Sequence, residues 1–442
     1  MQEQVAEQAQ DAIDPRPESS AVRDVLVSAF RRLMRLYFRN IERVGEPPGP
    51  ETRGRMIVSN HTNALIDPVL VLTDAKCEIS PIAKSTLWNV PGLRWLLDRA
   101  GAVPIVRRKD TPDKDTSHNV SMFEKIAAHL AGGGNLLIFP EGTSHSEPHL
   151  APLRSGAARM MLAAEQRRGV PPTFQAAALE FDAASEFRSR CLVLWGPVRR
   201  FADVPGEGED RIRNATALME ADLSELLVEG DTHEERLRVA RVAELIANED
   251  GDRSLGTWNG IGRRVELANR TLRAVDPALI SRVAERIDAY YAELERLGLT
   301  DEQITGRDAP PEPVTMPRWQ RVALAPLAAS GVALYALPYF IPRLIARRWD
   351  PDAVSTIKLG SSLIVYPLWA AGLVAGSFVL LPPPLSFVGA AVALASPFAA
   401  LRWLDTWSQR GASATPDELA ALARLRVIAR TAIDEARGKL PS

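Results

Sequence analysis

His61 and Asp67 are the residues of this chain whose types and spacing best suit chemistry. They stand in Ser59-Asn60-His61-Thr62-Asn63-Ala64-Leu65-Ile66-Asp67-Pro68, between the apolar runs 56–58 and 69–72. A neutral imidazole near pH 7 can take a proton from an alcohol as that alcohol attacks an acyl carbon. It does so better when a carboxylate holds its other ring nitrogen and stabilises the imidazolium. The two residues are six apart. On one continuous helix of ~3.6 residues per turn they would stand about 240° apart and could not meet. The pair therefore requires His61 on a loop before a helix, with Asp67 turned back from inside it. The plainer reading of so short a pair is a capping histidine beside an Asp-Pro turn.

A second group, Phe139-Pro140-Glu141-Gly142-Thr143-Ser144, follows the most apolar run of the region. It places Glu141 and the Gly142 backbone at a strand end, where glycine permits close approach of a ligand. The alternative is an ordinary Pro-Glu-Gly turn. A third group is basic. Lys84, Arg107 and Arg108 each end an apolar run, so they could gather on a phosphate or stand singly as surface charges.

Such residues need elements to carry them. From residue 51 to residue 200 short apolar runs alternate with amphipathic stretches, the pattern of βαβ units and an α/β fold. Strands are predicted at 56–59, 78–83, 103–106, 135–139, 173–178 and 191–195, and helices at 67–74, 93–100, 116–131 and 155–168. Gly132-Gly133-Gly134 stops the third helix. Ahead of this domain, residues 1–20 are polar and acidic and read as a disordered tail with no signal peptide. Residues 21–46 read as a basic amphipathic helix, with Arg23, Arg31, Arg32, Arg35 and Arg39 on its polar side. Such a helix lies in a membrane interface or docks on its own domain. Residues 201–313 are charged and helical in pattern, at 211–227, 233–248, 261–274 and 277–297, and form a helical insertion.

The C-terminal part reads as a membrane region over 318–407. Residues 361–381 and 385–404 form a hairpin about Pro382-Pro383-Pro384, each arm about the ~20 residues needed to cross the hydrocarbon core. Residues 322–342 have basic residues on both sides and stay open between a re-entrant or interfacial segment and a spanning one. Arg343, Arg347, Arg348 and Lys358 before the hairpin, with Arg402 and Arg410 after it, set both its ends on the cytoplasmic side. Residues 408–442 carry a soluble C-terminal helix.

Bulk composition excludes more than it selects. The 442 residues carry 53 basic and 55 acidic side chains, so no overall charge argues for nucleic acid. Cys77 and Cys191 alone build neither a disulfide framework nor a CxxC site. The six histidines form no HExxH-like set, and no structural metal is expected.

Taken together the groups resemble the glycerolipid acyltransferase superfamily, which includes the glycerol-3-phosphate and 1-acylglycerol-3-phosphate acyltransferases. The order of blocks is the same: Asn60-His61 to Asp67, Lys84-Ser85 to Leu93, Gly101-Ala102-Val103-Pro104 to Arg107, and Phe139 to Ser144. The resemblance covers residues 25–200. One departure is informative. The common block has four residues between His and Asp, whereas this chain has five. That spacing is similar to the fungal-type glycerol-3-phosphate/dihydroxyacetone phosphate acyltransferases, as are Pro140-Glu141-Gly142-Thr143-Ser144-His145, Phe187-Arg188-Ser189-Arg190 and the apolar segments behind the domain. The usual Val-Pro-Val block is degenerate here, at Gln175 to Leu179.

The resemblance implies an acyltransferase-like central sheet flanked by helices. It also implies an integral membrane enzyme with its catalytic domain on the cytoplasmic side. His61 would deprotonate the acceptor hydroxyl and Asp67 would orient it. Arg107 would hold the acceptor phosphate, with Lys84 added and Arg108 a weaker candidate. Glu141, Gly142 and Thr143 would help to bind the acceptor. The co-substrate would be acyl-CoA or acyl carrier protein, with no cofactor. The partners would be membrane lipid and a small phosphorylated acceptor, glycerol 3-phosphate or lysophosphatidic acid. Other readings are acylation of a different lysophospholipid, or a degenerate lipid-binding membrane protein.

Overall fold

The computed structural model of the chain describes residues 19–90, 92–105, 117–167, 169–252, 254–305, 316–349, 353–407 and 414–440. It comprises two compact units, Met1–Thr232 and His233–Ser442.

The first unit runs α1 (Ser19–Tyr37), β1 (Asn40–Val44), β2 (Arg55–Ser59), α2 (Ile66–Asp74), β3 (Ser80–Lys84), α3 (Leu93–Arg99), β4 (Val103–Ile105), α4 (Ser117–Ala131), β5 (Leu136–Ile138), α5 (Gly156–Glu165), β6 (Thr173–Phe181), β7 (Arg190–Arg200) and α6 (Gly208–Ser224). The strands form one sheet in the order β1-β7-β6-β2-β5-β3-β4. The five from β6 to β4 are parallel, β7 is antiparallel to β6, and β1 is parallel to β7. The central strands read as unbroken apolar runs because helices cover both faces. Met56, Ile57, Val58, Leu136 and Leu137 are fully buried. The α/β fold and its flanking helices are therefore as expected from the sequence.

Two boundaries differ. The helix expected over 21–46 stops at Tyr37, and Asn40–Val44 is an edge strand paired with β7. That strand has only two apolar side chains, Ile41 and Val44, too few for a two-residue period to show. Helix α1 is docked on its own domain. Met34 and Tyr37 are buried, Arg23 donates to the Ile79 carbonyl, and Arg31 Nε donates to Thr73 O at 2.9 Å. The Phe187–Arg190 stretch closes its C-terminus: Arg188 Nη1 donates to Leu36 O at 3.2 Å and Arg188 N to Tyr37 O at 2.7 Å. Two of the arginines expected on lipid phosphate thus hold protein carbonyls. Arg32, Arg35, Val22 and Val25 remain on the outer face. Finally, α6 lies against β2, β6 and β7, so the α/β unit extends past residue 200.

The second unit holds α7 (His233–Asp250), α8 (Leu255–Val275), α9 (Pro277–Leu297), α10 (Asp301–Ile304), α11 (Arg318–Ala346), α12 (Val354–Leu380), α13 (Leu385–Trp407) and α14 (Pro416–Gly438). The last helix joins the first ones: Leu422, Ala429 and Ile433 share a core with Leu245, Ile287 and Tyr290. Fully buried Asp301 accepts from Asn248 Nδ2 at 2.9 Å and Arg426 Nε at 2.8 Å, which satisfies a carboxylate that would otherwise be costly to bury. The three apolar helices are inserted between α10 and α14.

Those three helices, Trp319–Ala346, Val354–Leu380 and Leu385–Asp405, are long and apolar enough to cross a membrane. Over 322–342, α11 continues unbroken for 29 residues through Pro326, Pro338 and Pro342. Each proline removes one ladder hydrogen bond and bends a helix without reversing it. The helices pack on one another, Tyr335 Oη donating to Ala393 O at 2.8 Å and Trp369 Nε1 to Leu334 O at 2.9 Å.

Candidate active site

Strands β2 and β5 are parallel neighbours, with Met56 opposite Leu136 and Val58 opposite Ile138. The chain leaves both at the same sheet edge, the usual place for ligands in such sheets. His61 and Glu141 each lie three residues beyond a paired position, so the register brings them together. His61 N donates to Glu141 Oε1 at 2.6 Å, and His145 N donates to His61 O at 3.1 Å. The His61 ring stacks on Phe139, with centroids 4.1 Å apart and planes at 23°.

Asp67 lies in the first turn of α2 and points back at that loop. Its Oδ2 accepts from His61 Nδ1 at 3.0 Å, Thr62 N at 2.8 Å and Asn63 N at 2.6 Å. An ionised carboxylate only accepts, so the ring proton sits on Nδ1 and Nε2 carries the free lone pair. The His61 side chain is 20% exposed while that of Asp67 is fully buried. Burial pushes the Asp67 carboxyl above the ordinary carboxylate range, against the pull of His61 and of the two N–H donors. The imidazole is thus held from one side by a buried carboxylate, with its second ring nitrogen turned away from it. The five intervening residues fit because Ala64 takes a φ of +37°, in the left-handed region. A non-glycine residue there stores on the order of 1 kcal/mol or more, and such strain gathers at functional sites.

Two asparagines hold the loop. The amide of buried Asn60 continues the ladder between β2 and β6: Nδ2 donates to Leu179 O at 3.0 Å and Oδ1 accepts from Leu179 N at 2.8 Å. Asn63 Nδ2 donates to Ala184 O at 3.0 Å. Neither asparagine has a role in the sequence blocks; the signal for them is two amides flanking a histidine directly after a buried strand. Asn60→Ala leaves a buried N–H and C=O without partners, a cost of about 1–3 kcal/mol for each such group. The expected outcome is a lower denaturation midpoint together with reduced turnover, measured on the same preparation.

The other predicted residues fall as follows. Glu141 is buried, and its carboxylate is engaged by protein: Oε1 by the His61 backbone, Oε2 by the His145 ring and by Ala151 N at 3.1 Å. It therefore positions His61. Gly142 has a φ of +80°, and a Cβ there would lie 2.8 Å from Arg154 Nε. The glycine serves the turn and leaves room for Arg154. Thr143 is exposed, and its hydroxyl donates to Ser144 O at 3.4 Å. Lys84 is the exposed last residue of β3, paired with Ile105 of β4. In the order β2-β5-β3 its strand lies about 10 Å from that of His61, at ~4.8 Å per strand. Arg107 and Arg108 lie outside the described residues. The degenerate block is a structural strand: Ala176, Ala177 and Ala178 are fully buried in β6, and Leu179 holds Asn60.

Residues 36–174 match the family model described as Acyltransferase. The match lies within the α/β unit. Among curated proteins, 82 residues, 18% of the chain, are 35% identical to glycerol-3-phosphate O-acyltransferase 2 of Saccharomyces cerevisiae. The match spans 11% of that protein's length. Among solved structures, the 1-acyl-sn-glycerophosphate (LPA) acyltransferase PlsC of Thermotoga maritima is 14% identical, with 49% of this chain and 87% of that one covered at a TM-score of 0.34.

Proposed function

We propose that this protein is a membrane-bound O-acyltransferase of phospholipid synthesis. It transfers a fatty acyl group from acyl-CoA or acyl carrier protein to a hydroxyl of glycerol 3-phosphate or lysophosphatidic acid. The observation that carries the reading is the 3.0 Å contact of His61 Nδ1 with buried Asp67, which leaves Nε2 free to act as base. Nε2 takes the proton of the acceptor hydroxyl as its oxygen bonds to the thioester carbonyl carbon. The negative Asp67 stabilises the imidazolium that forms. The intermediate collapses, the C–S bond breaks, and the leaving thiolate takes the proton back from Nε2. No covalent acyl-enzyme is involved.

Lys84, at the end of β3, and Arg107 supply charge for the acceptor's phosphate. The three apolar helices support a membrane setting, which suits a reaction whose donor chain and product dissolve in lipid. The basic residues around the hairpin favour a cytoplasmic catalytic unit. The test offers purified full-length protein in detergent with acyl-CoA and, in parallel, glycerol 3-phosphate, dihydroxyacetone phosphate and lysophosphatidic acid. A new ester on at least one of these acceptors, seen by mass spectrometry, is expected. Lipid binding with no ester on any acceptor, with acyl-CoA and with acyl carrier protein as donor in turn, overturns the proposal in favour of a degenerate lipid-binding protein.

A further inference from the structure

We infer that Arg154 is a contact for the acceptor's phosphate, beside the Glu141-Gly142 turn. The inference rests on the function proposed above and adds a binding residue that its sequence blocks do not contain.

The backbone fixes the position. Ala151 N donates to Glu141 Oε2 at 3.1 Å and Arg154 N donates to Pro140 O at 2.9 Å, so residues 151–154 lie along the turn that holds His61. Helix α5 begins at Gly156 and anchors the segment from the other side. The side chain then crosses Gly142. A Cβ on that glycine would stand 2.8 Å from Arg154 Nε and 3.1 Å from its Cζ. The guanidinium in this position occupies the space that a side chain at residue 142 would fill.

Its charge is uncommitted. Arg154 is exposed, and among the described residues its side chain makes no ion pair or hydrogen bond. Other arginines of this unit differ: Arg159 pairs with Glu209, Arg199 with Asp222 and Arg211 with Glu165. Two carboxylates bond the backbone around this segment. Glu141 is buried against His61 and Ala151, and Glu220 accepts from Leu153 N at 3.4 Å. A free guanidinium one residue from the group that holds the base is suited to a phosphoryl dianion, which its planar fork can meet with two N–H bonds.

The experiment compares full-length wild type, Arg154→Gln and Arg154→Lys in detergent. It measures KM for glycerol 3-phosphate, KM for acyl-CoA, kcat, and inhibition by inorganic phosphate. Arg154→Gln is expected to raise the acceptor KM about 10- to 100-fold, the range for loss of a charged hydrogen bond. It should weaken phosphate inhibition and leave the acyl-CoA KM within about twofold, and Arg154→Lys should recover part of the loss. An unchanged acceptor KM with unchanged phosphate inhibition overturns the inference. So does a fall in kcat alone, which would make Arg154 a support for the Glu141 turn. Wild type idle on every phosphorylated acceptor sinks the functional reading and the inference with it. An active wild type with an unaltered Arg154→Gln sinks the inference alone.

Discussion

His61→Ala is expected to lower acyl transfer by about 10²- to 10⁴-fold, the contribution of a positioned general base, while the protein stays folded. The side chain stands on a loop and is 20% exposed. What binds that loop to the sheet is the His61 backbone, donating to Glu141 at 2.6 Å, together with the Asn60 amide on Leu179. Alanine keeps both. The loss should therefore appear in kcat, with the folded spectrum retained by circular dichroism and a denaturation midpoint lowered only by the lost bond to Asp67, about 1–3 kcal/mol. A variant that lost activity by unfolding would show both changes at once.

Asp67→Asn is expected to reduce kcat on the order of 10³- to 10⁴-fold, close to the loss of the base itself, since a neutral amide no longer fixes the tautomer or balances the imidazolium. The cost in stability is larger than for His61→Ala. Oδ2 accepts three N–H groups inside the protein, whereas Oδ1 is buried with no partner among the described residues. If the amide oxygen keeps the three donors, its NH2 occupies the Oδ1 position and remains unsatisfied, at about 1–3 kcal/mol. If the amide turns round, the NH2 faces three donors and the loop must shift. Either arrangement lowers the denaturation midpoint, which chemical unfolding of the two variants side by side would read.

Much of this site was legible because its chemistry depends on local order in the sequence. His61 and Asp67 must meet across a loop-to-helix turn, and their spacing alone required His61 to lie outside the helix. The central strands were legible because burial on both faces makes them unbroken apolar runs. What was not legible depends on partners distant in sequence. Glu141 reads as a ligand-facing acid until Ala151 and the His61 backbone are seen to occupy its oxygens. Asn60 reads as a polar loop residue until Leu179 of β6 is placed beside it, 119 positions away. The edge strand Asn40–Val44 is recognised by its pairing with β7 rather than by its own five residues. In the second unit, helix α14 looks like a free tail, and only the core shared with Leu245 and Tyr290 joins it to helices on the far side of the apolar insertion.

The most direct test of His61 as the base of an acyl transfer is the initial rate of thiol release from acyl-CoA by full-length protein, with and without a phosphorylated glycerol acceptor, for wild type and His61→Ala together. The predicted result is release that depends on the acceptor in the wild type and falls by at least about 10²-fold in the variant. Equal release by the folded variant, or wild-type release indifferent to every acceptor, would contradict the assignment.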